Sequence, residues 1–271
     1  MITLSEKELA DISGYIKEHY GVNLAAKSSL IEGRLGCYVM SRGFASYGDY
    51  FEFAKRDPTQ QEMTSLINRL TTNHTFFMRE SDHFDFFSGV VLPWIARSGD
   101  KDMRVWCAGC ATGEEPYALS IYILEYLETQ ASAYGWDSVV LASDISEQAL
   151  KTASNGLYSA ENLSSVSDGR KLKYFTETAE GNYRVTPGLR KNVAFRKINL
   201  LDPFHFSKPF QTVFCRNVMI YFDAETKTKL IDKFFNALVP GGYLFIGHSE
   251  SLATLSHRFT YVKPSVYRKP E

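Results

Sequence analysis

From residue 103 onward, short apolar runs alternate with longer helical patterns, and no other feature limits the fold so much. MRVWC (103–107), SVVLA (138–142), VAFRK (193–197), TVFC (212–215) and GYLFIG (242–247) are rich in β-branched and aromatic side chains. Helix-length stretches lie between several of them. This alternation specifies βαβ units, and therefore an α/β fold with a mostly parallel, doubly wound sheet. The tail FTYVKPSVYRK (259–269) adds two short strands around Lys263-Pro264, read as a closing antiparallel hairpin. Between Ser159 and Lys191 the composition turns polar, with KYF (173–175) and YRV (183–185) as candidate strands. That stretch is longer than a βα loop needs and predicts a small inserted β-subdomain over about 160–192.

Residues 1–70 read differently, with helical periodicity and almost no strand signal. Leu9, Ile12 and Ile16, then Leu30, Ile31, Leu35 and Tyr38, recur at helix spacing. Ser5 followed by Glu8 is a capping box opening the first helix. Gly21–Asn23 and Ser41–Gly43 are breaks between helices, and Asp57-Pro58 ends the helix carrying Tyr47, Tyr50, Phe51 and Phe53. The expected organisation is a helical domain over 1–70, a linker over 71–88 and an α/β domain over 89–271.

Composition removes several classes. With 44% hydrophobic and 14% aromatic residues in a chain of 271, a sizeable core is assured and disorder is excluded. Lys+Arg at 30 against Asp+Glu at 31 leaves a net charge of −1, which argues against a general nucleic-acid binder. Cys37, Cys107, Cys110 and Cys215 are too sparse for a disulfide-stapled secreted fold. The opening residues form a mildly acidic amphipathic stretch without a signal-type apolar region, and no run reaches the ~20 apolar residues of a membrane helix. A soluble, cytoplasmic protein without membrane insertion is expected.

The clearest chemical logic lies in VWCAGCATGEEPYALSI (105–121), where a strand ends, a loop with Gly109 and Gly113 follows, and Pro116 stands in the first turn of a helix. Glycines let a backbone turn sharply against a ligand at the carboxyl end of a strand, where α/β folds bind cofactors. The segment is neither a G-x-G-x-x-G dinucleotide fingerprint nor a P-loop. Glu114 and Glu115 at the helix entrance disfavour phosphate and suit a ligand with an amino group. Asp144, ending the second strand in VVLASDIS, is placed to take the two hydroxyls of a ribose, although an N-cap role would also explain it. Together these features argue for a nucleoside with an amino acid end and no phosphate, which fits S-adenosylmethionine.

Other motifs carry less. Cys107 and Cys110 form a C-x-x-C, but no second pair completes a zinc site, and they read as incidental thiols in a tight loop. No metal site is expected. His248, Ser249 and Glu250 are not a hydrolase triad, since there is no G-x-S-x-G elbow. RLTTNHTFFMRE (69–80) joins the two halves and is built to pack, with Asn73, Thr75 and Arg79 among Phe76, Phe77 and Met78. FCRNVMIYF (214–222) puts Arg216, Asn217 and Tyr221 just after the fourth strand, which in a doubly wound sheet lies beside the first.

Several of these motifs in one order resemble a known family, the chemotaxis receptor methyltransferases or CheR family. The resemblance runs through RLTTNHTFFMRESDHF, VWCAGCATGEEPYAL, ASDIS, INLLDPF, FCRNVMIYF and LVPGGYLFIGHSES, and covers nearly the whole chain. It implies a class I S-adenosylmethionine-dependent methyltransferase fold with a small β-subdomain insertion, preceded by a helical domain. It also implies methyl transfer from S-adenosylmethionine to glutamate side chains on cytoplasmic helices of chemoreceptors. By matching positions, Asn73, Thr75, Arg79, Glu114, Asp144, Asn199, Leu200, Arg216 and Asn217 would bind the cofactor. Asp144 would hold the ribose, Glu114 would lie near the methionine amino group, and Asn199 and Leu200 would flank the adenine. Arg79 and Tyr221 are the choices for the acceptor side, with the chain acting as a monomer. An alternative keeps the fold and changes the acceptor to another protein or a small molecule.

Two departures from the family pattern stand out. Phe77-Met78-Arg79 replaces a frequent Phe-Phe-Arg. The second helix is only weakly basic, with Lys27, Arg34 and Arg42 as the candidate receptor-recognition residues against Glu32. Residues 1–70 hold eight basic and nine acidic side chains, so recognition by bulk charge would be weak. The TETAEGNYRV stretch (176–185) is short for gripping a receptor's C-terminal peptide, as the β-subdomain edge does in some members.

Overall fold

The structure, a computed structural model, describes residues 2–71, 75–98, 100–130 and 135–271. It divides into two compact units, one of residues 1–74 and 221–227, the other of residues 75–220 and 228–271. Among the described residues, no helix is long and apolar enough to cross a membrane.

The first unit is built on α1 (Glu6–Tyr20), α2 (Ser28–Ser41), α3 (Tyr47–Arg56) and α4 (Gln61–Leu70). Ser5 and Glu8 form the capping box: the Glu8 amide donates to Ser5 Oγ at 3.3 Å and the Ser5 amide to Glu8 Oε2 at 2.9 Å. Gly21, at φ 73°, ends α1 in the left-handed conformation. Asp57 closes α3 and opens α4, accepting the amides of Thr59 and Glu62 at 2.9 Å each. Ile16, Ile31, Leu35, Phe51 and Leu66 are buried in one apolar cluster, against which Tyr221 packs. Tyr221 also accepts the Asn23 amide through its carbonyl at 2.8 Å, and Lys17 pairs with Asp223 at 2.7 Å.

The second unit carries β1 (Val105–Ala108), β2 (Val140–Asp144), β3 (Leu157–Tyr158), β4 (Phe175–Glu177), β5 (Tyr183–Val185), β6 (Val193–Lys197), β7 (Phe210–Cys215), β8 (Leu238–Ile246), β9 (Thr260–Lys263) and β10 (Val266–Arg268). The main sheet runs β6-β2-β1-β7-β8-β10-β9. The first five strands of that order are parallel, and β10 and β9 form the antiparallel hairpin at one edge. The fourth predicted strand, β7, does lie beside β1. Both sheet faces are covered, as a parallel sheet requires. On one face Trp106 packs against Phe204, Phe206, Phe210 and Phe234; on the other Phe214 stacks on Phe245 at 4.2 Å.

A second, antiparallel sheet of order β3-β5-β4 forms the insertion and begins at Leu157, slightly before the expected start. Lys173 and Tyr174, expected in a strand, end helix α9 (Asp168–Tyr174), and the strand starts at Phe175. The 75–80 stretch packs here: Phe77 is buried edge-on to Tyr158 at 5.0 Å and Phe175 at 5.3 Å. It leads into α5 (Ser81–Phe86), which continues through a π-helical turn (Phe87–Val91) into α6 (Leu92–Ala96).

Candidate functional site

Because β6, β2, β1, β7 and β8 are parallel, the segments that follow them emerge at one sheet edge. Those segments carry most of the residues singled out by sequence. After β1 the backbone turns through Gly109 at φ 87° and Gly113 at φ 98°. A Cβ on Gly109 would stand 2.3 Å from Val218, and one on Gly113 would stand 2.7 Å from Ala153, so both positions require glycine. The amides of Gly109 and Cys110 donate to the Ser143 carbonyl at 2.8 and 2.9 Å.

Asp144 ends β2. Its Oδ2 accepts the Ala111 amide and its Oδ1 the Ser146 amide, both at 2.9 Å. Ser146, not Asp144, caps α8 (Glu147–Asn155), accepting the Ala149 amide. The competing N-cap explanation of Asp144 is thereby removed. Burial raises its pKa above the usual carboxylate value despite those amides.

The two acids at the start of α7 (Glu114–Glu128) part company. Glu114 is 2% exposed, takes the Thr112 hydroxyl at 2.7 Å and the Asn162 amide at 3.3 Å, and has no cationic partner among the described residues. Burial pushes its pKa up to about 7. A buried carboxyl so placed suits a ligand amino group. Glu115 is committed elsewhere: it accepts the Cys107 thiol at 3.1 Å and Arg216 Nη1 at 2.7 Å. Cys107 and Cys110 are both free and buried, and burial pushes both thiols well up, so they remain protonated.

Asn199 and Leu200 follow β6, whose Lys197 pairs in register with Asp144 on the neighbouring strand. Asn199 Oδ1 accepts the Leu201 amide at 3.1 Å, Leu200 is buried, and the Leu200 carbonyl accepts Lys233. The donor set at this edge therefore offers a strand-end carboxylate, a buried acid and an apolar wall, and it fits S-adenosylmethionine.

Arg216, after β7, is heavily bonded. Its guanidinium is 2% exposed and donates to Glu80 through Nε and Nη2 at 3.1 and 2.9 Å, to Glu115, and to the Arg79 carbonyl. Asn217 has a left-handed backbone at φ 60°; its Nδ2 donates to Glu80 at 3.3 Å and its amide to Glu250 at 2.9 Å. Glu250 also accepts the amides of Gly247 at 2.6 Å and Ile220 at 3.1 Å.

Sequence reasoning missed Glu80, the bracing role of Glu250 and the commitment of Glu115. The only signal for Glu80 was its place directly after Arg79, since the groups that donate hydrogen bonds to its carboxylate lie more than 130 residues away along the chain. Glu80, His83 and His248 bring nitrogen and carboxylate donors within 4.8 Å of one another, the donor types of a transition-metal site. Both Glu80 oxygens are already accepting hydrogen bonds, and the Arg216 cation stands against them.

The remaining positions are distributed as follows. Thr75 and Arg79 are half-buried in the second unit, and Asn73 lies outside the described residues. Tyr221 belongs to the helical unit. There, Lys27 is exposed just before α2, Arg34 donates to the Leu70 carbonyl at 2.8 Å, and Arg42 is ion-paired with Glu62.

Sheet order, insertion and the acid at the end of β2 define a class I S-adenosylmethionine-dependent methyltransferase. The family model described as CheR methyltransferase, SAM binding domain matches residues 73–268, and that described as CheR methyltransferase, all-alpha domain matches residues 7–71. The chain belongs to the CheR methyltransferase family. It is 36% identical to a chemotaxis protein methyltransferase of Borreliella burgdorferi over 99% of this chain and 96% of that one. Identity to the chemotaxis protein methyltransferase of Escherichia coli is 35%, over 98% of this chain and 92% of the relative. A Pseudomonas aeruginosa protein, chemotaxis protein methyltransferase 2, is 35% identical over 91% and 87% of the two chains.

Proposed function

We propose that the protein transfers the methyl group of S-adenosylmethionine to glutamate side chains on cytoplasmic helices of methyl-accepting chemotaxis receptors, in adaptation of chemotactic signalling. The products are glutamate methyl esters and S-adenosylhomocysteine. The observation that carries this reading is the near end-to-end match, helical domain included, to proteins named chemotaxis protein methyltransferase. The protein works in the cytoplasm as a monomer; that it binds no nucleic acid is supported by its net charge of −1.

The roles proposed for the residues follow from their surroundings. Asp144 takes the ribose hydroxyls, Glu114 takes the amino group, and Asn199 and Leu200 flank the base. Asn73, Thr75 and Arg79 close over the cofactor from residues 71–88, ahead of the methyltransferase domain over 89–271. Arg216 and Asn217 shape the rim after β7. Residues 1–70 recognise the receptor helix through Lys27, Arg34 and Arg42, and Arg79 and Tyr221 serve the acceptor side.

No general base is needed. A glutamate with a pKa of about 4.3 is already an anion at neutral pH. S-adenosylmethionine supplies a sulfonium that is already an activated methyl donor. The protein's task is alignment and exclusion of water, and effective-molarity arguments put the first at up to ~7–11 kcal/mol.

The test is transfer of labelled methyl from S-adenosylmethionine to receptor fragments, read as base-labile ester. Replacing the acceptor glutamates by alanine is expected to abolish it. Label persisting on that fragment, or turnover confined to other proteins or small molecules, overturns the assignment.

A further inference from the structure

Met78 and Glu80, the neighbours of Arg79 on either side, both have left-handed backbones, at φ 61° and 56°. Neither is a glycine, and such conformations persist only where the surroundings over-determine them. Here two anchors do so. On the amino side Phe77 and Met78 are buried, with the Phe77 ring wedged between Tyr158 and Phe175. On the carboxyl side the Glu80 side chain makes no cap to α5. It reaches instead to Arg216, to Asn217 Nδ2 and, through Oε1, to the His248 amide at 3.2 Å. Arg216 in turn donates to the Arg79 carbonyl, so the segment is gripped through both backbone and side chain.

We propose that Glu80 is a positioning residue: its bond to Arg216 holds the 78–80 kink that aims Arg79, and it acts through Arg79 without touching substrate or cofactor. A buried ion network is a weak device for stability, since apolar residues of similar size would serve as well. What the forked Nε and Nη2 donors of Arg216 give instead, by converging on the single oxygen Oε2 of Glu80, is a fixed direction. Two carboxylates, Glu80 and Glu115, share this one guanidinium, which pins it from opposite ends. The inference rests on the proposed role of Arg79 at the cofactor and the acceptor.

The experiment is a double-mutant cycle in the full-length protein, with Glu80→Gln, Arg79→Ala and both together. The readouts are kcat and KM on a receptor fragment, and calorimetric affinity for S-adenosylhomocysteine, all well below the melting temperature. Glu80→Gln is expected to lower kcat by about 10–100-fold, the scale of an ångström of misplacement. In the Arg79→Ala background the same change is expected to alter kcat and cofactor affinity by less than about 2-fold, because the residue it acts through is gone. Effects that multiply independently, or an unchanged kcat in Glu80→Gln, overturn the proposal. Should Glu80→Gln fail to fold, Arg216→Lys, which keeps the charge and loses the fork, replaces it in the same cycle. If wild-type protein methylates no receptor glutamate, the functional reading has failed, and the affinity cycle alone decides on Glu80.

Discussion

In the helical unit the ion pairs lie at the surface: Lys17–Asp223, Arg42–Glu62 and Lys55–Glu52 each keep one side chain at least 42% exposed. In the sheet-bearing unit Arg216 is 2% exposed between Glu80 at 12% and Glu115 at 16%. Glu114 and Glu250 are buried there too, bonded to a hydroxyl, a side-chain amide and backbone amides. Helix packing needs only apolar faces, and charge left outside is nearly neutral in energy. A site that must hold a cationic ligand in a dry pocket needs charge inside, where each group requires designated partners.

The contrast is broken most severely at Arg216. Arg216→Met leaves the half-buried carboxylates of Glu80 and Glu115 without their cation, a change worth about 3 kcal/mol. Denaturant unfolding should show that loss together with collapse of cofactor binding; a loss below about 1 kcal/mol would return Arg216 to the class of surface pairs.

Two glycines with similar backbones have different surroundings. Gly109 at φ 87° faces Val218, whereas Gly43 at φ 83° in the helical unit has nothing within 4 Å of a built Cβ. Gly109→Ala should cost about 1–3 kcal/mol more than Gly43→Ala in chemical denaturation, from overpacking added to a shared backbone strain.

Asp144→Asn keeps the shape of the β2 terminus and removes its charge. Calorimetry should find S-adenosylmethionine bound about 10–100-fold more weakly, with stability lowered by about 1–3 kcal/mol because the single Asn oxygen leaves either the Ala111 or the Ser146 amide without its acceptor. Unaltered affinity would remove Asp144 from the site.

Glu114 gives a pH signature. Its ordinary value is 4.5 and burial lifts it to about 7, so between those values the folded protein holds a proton that the unfolded chain has released. Stability from this group therefore falls as pH rises through that window. A ligand cation prefers the ionised form, so cofactor affinity should rise with pH towards about 7 and then level off, by up to about tenfold per unit. In Glu114→Gln the slope should disappear, and a slope that survives would locate the titration elsewhere.

The smallest effect belongs to the helical unit. Arg42→Ala, which removes an exposed pair with Glu62, should change stability by about 1 kcal/mol or less. Receptor affinity should also fall only a few-fold, because a rim charge mainly sets encounter rate and salt dependence.

Much of the scaffold was legible in the sequence because its signals are local. The Ser5–Glu8 capping box, the Asp57 stop and the strand-loop-helix at 105–121 each depend on residues within a few positions of one another. Even the placement of β7 beside β1 follows from alternation of strands and helices. Legibility faded where pairing overrode local preference. The strand expected over 242–247 extends back to Leu238 through Gly241-Gly242, because β7 supplies a partner beginning at Phe210. Tyr174 stayed helical, and only Phe175 onward found a partner in β5.

The site divides in the same way. The placement of Asp144, Glu114 and the glycine loop after β1 and at the end of β2 was readable because strand-end position is tied to chain order. How the two neighbouring acids part was decided only by tertiary structure, which sends Glu114 into a buried niche and Glu115 to Arg216. The same holds for Glu80, whose carboxylate meets a guanidinium 136 residues further along the chain. Local sequence fixes backbone direction through sterics and periodicity, but a buried charge chooses its partner from whatever the completed fold brings within hydrogen-bonding distance.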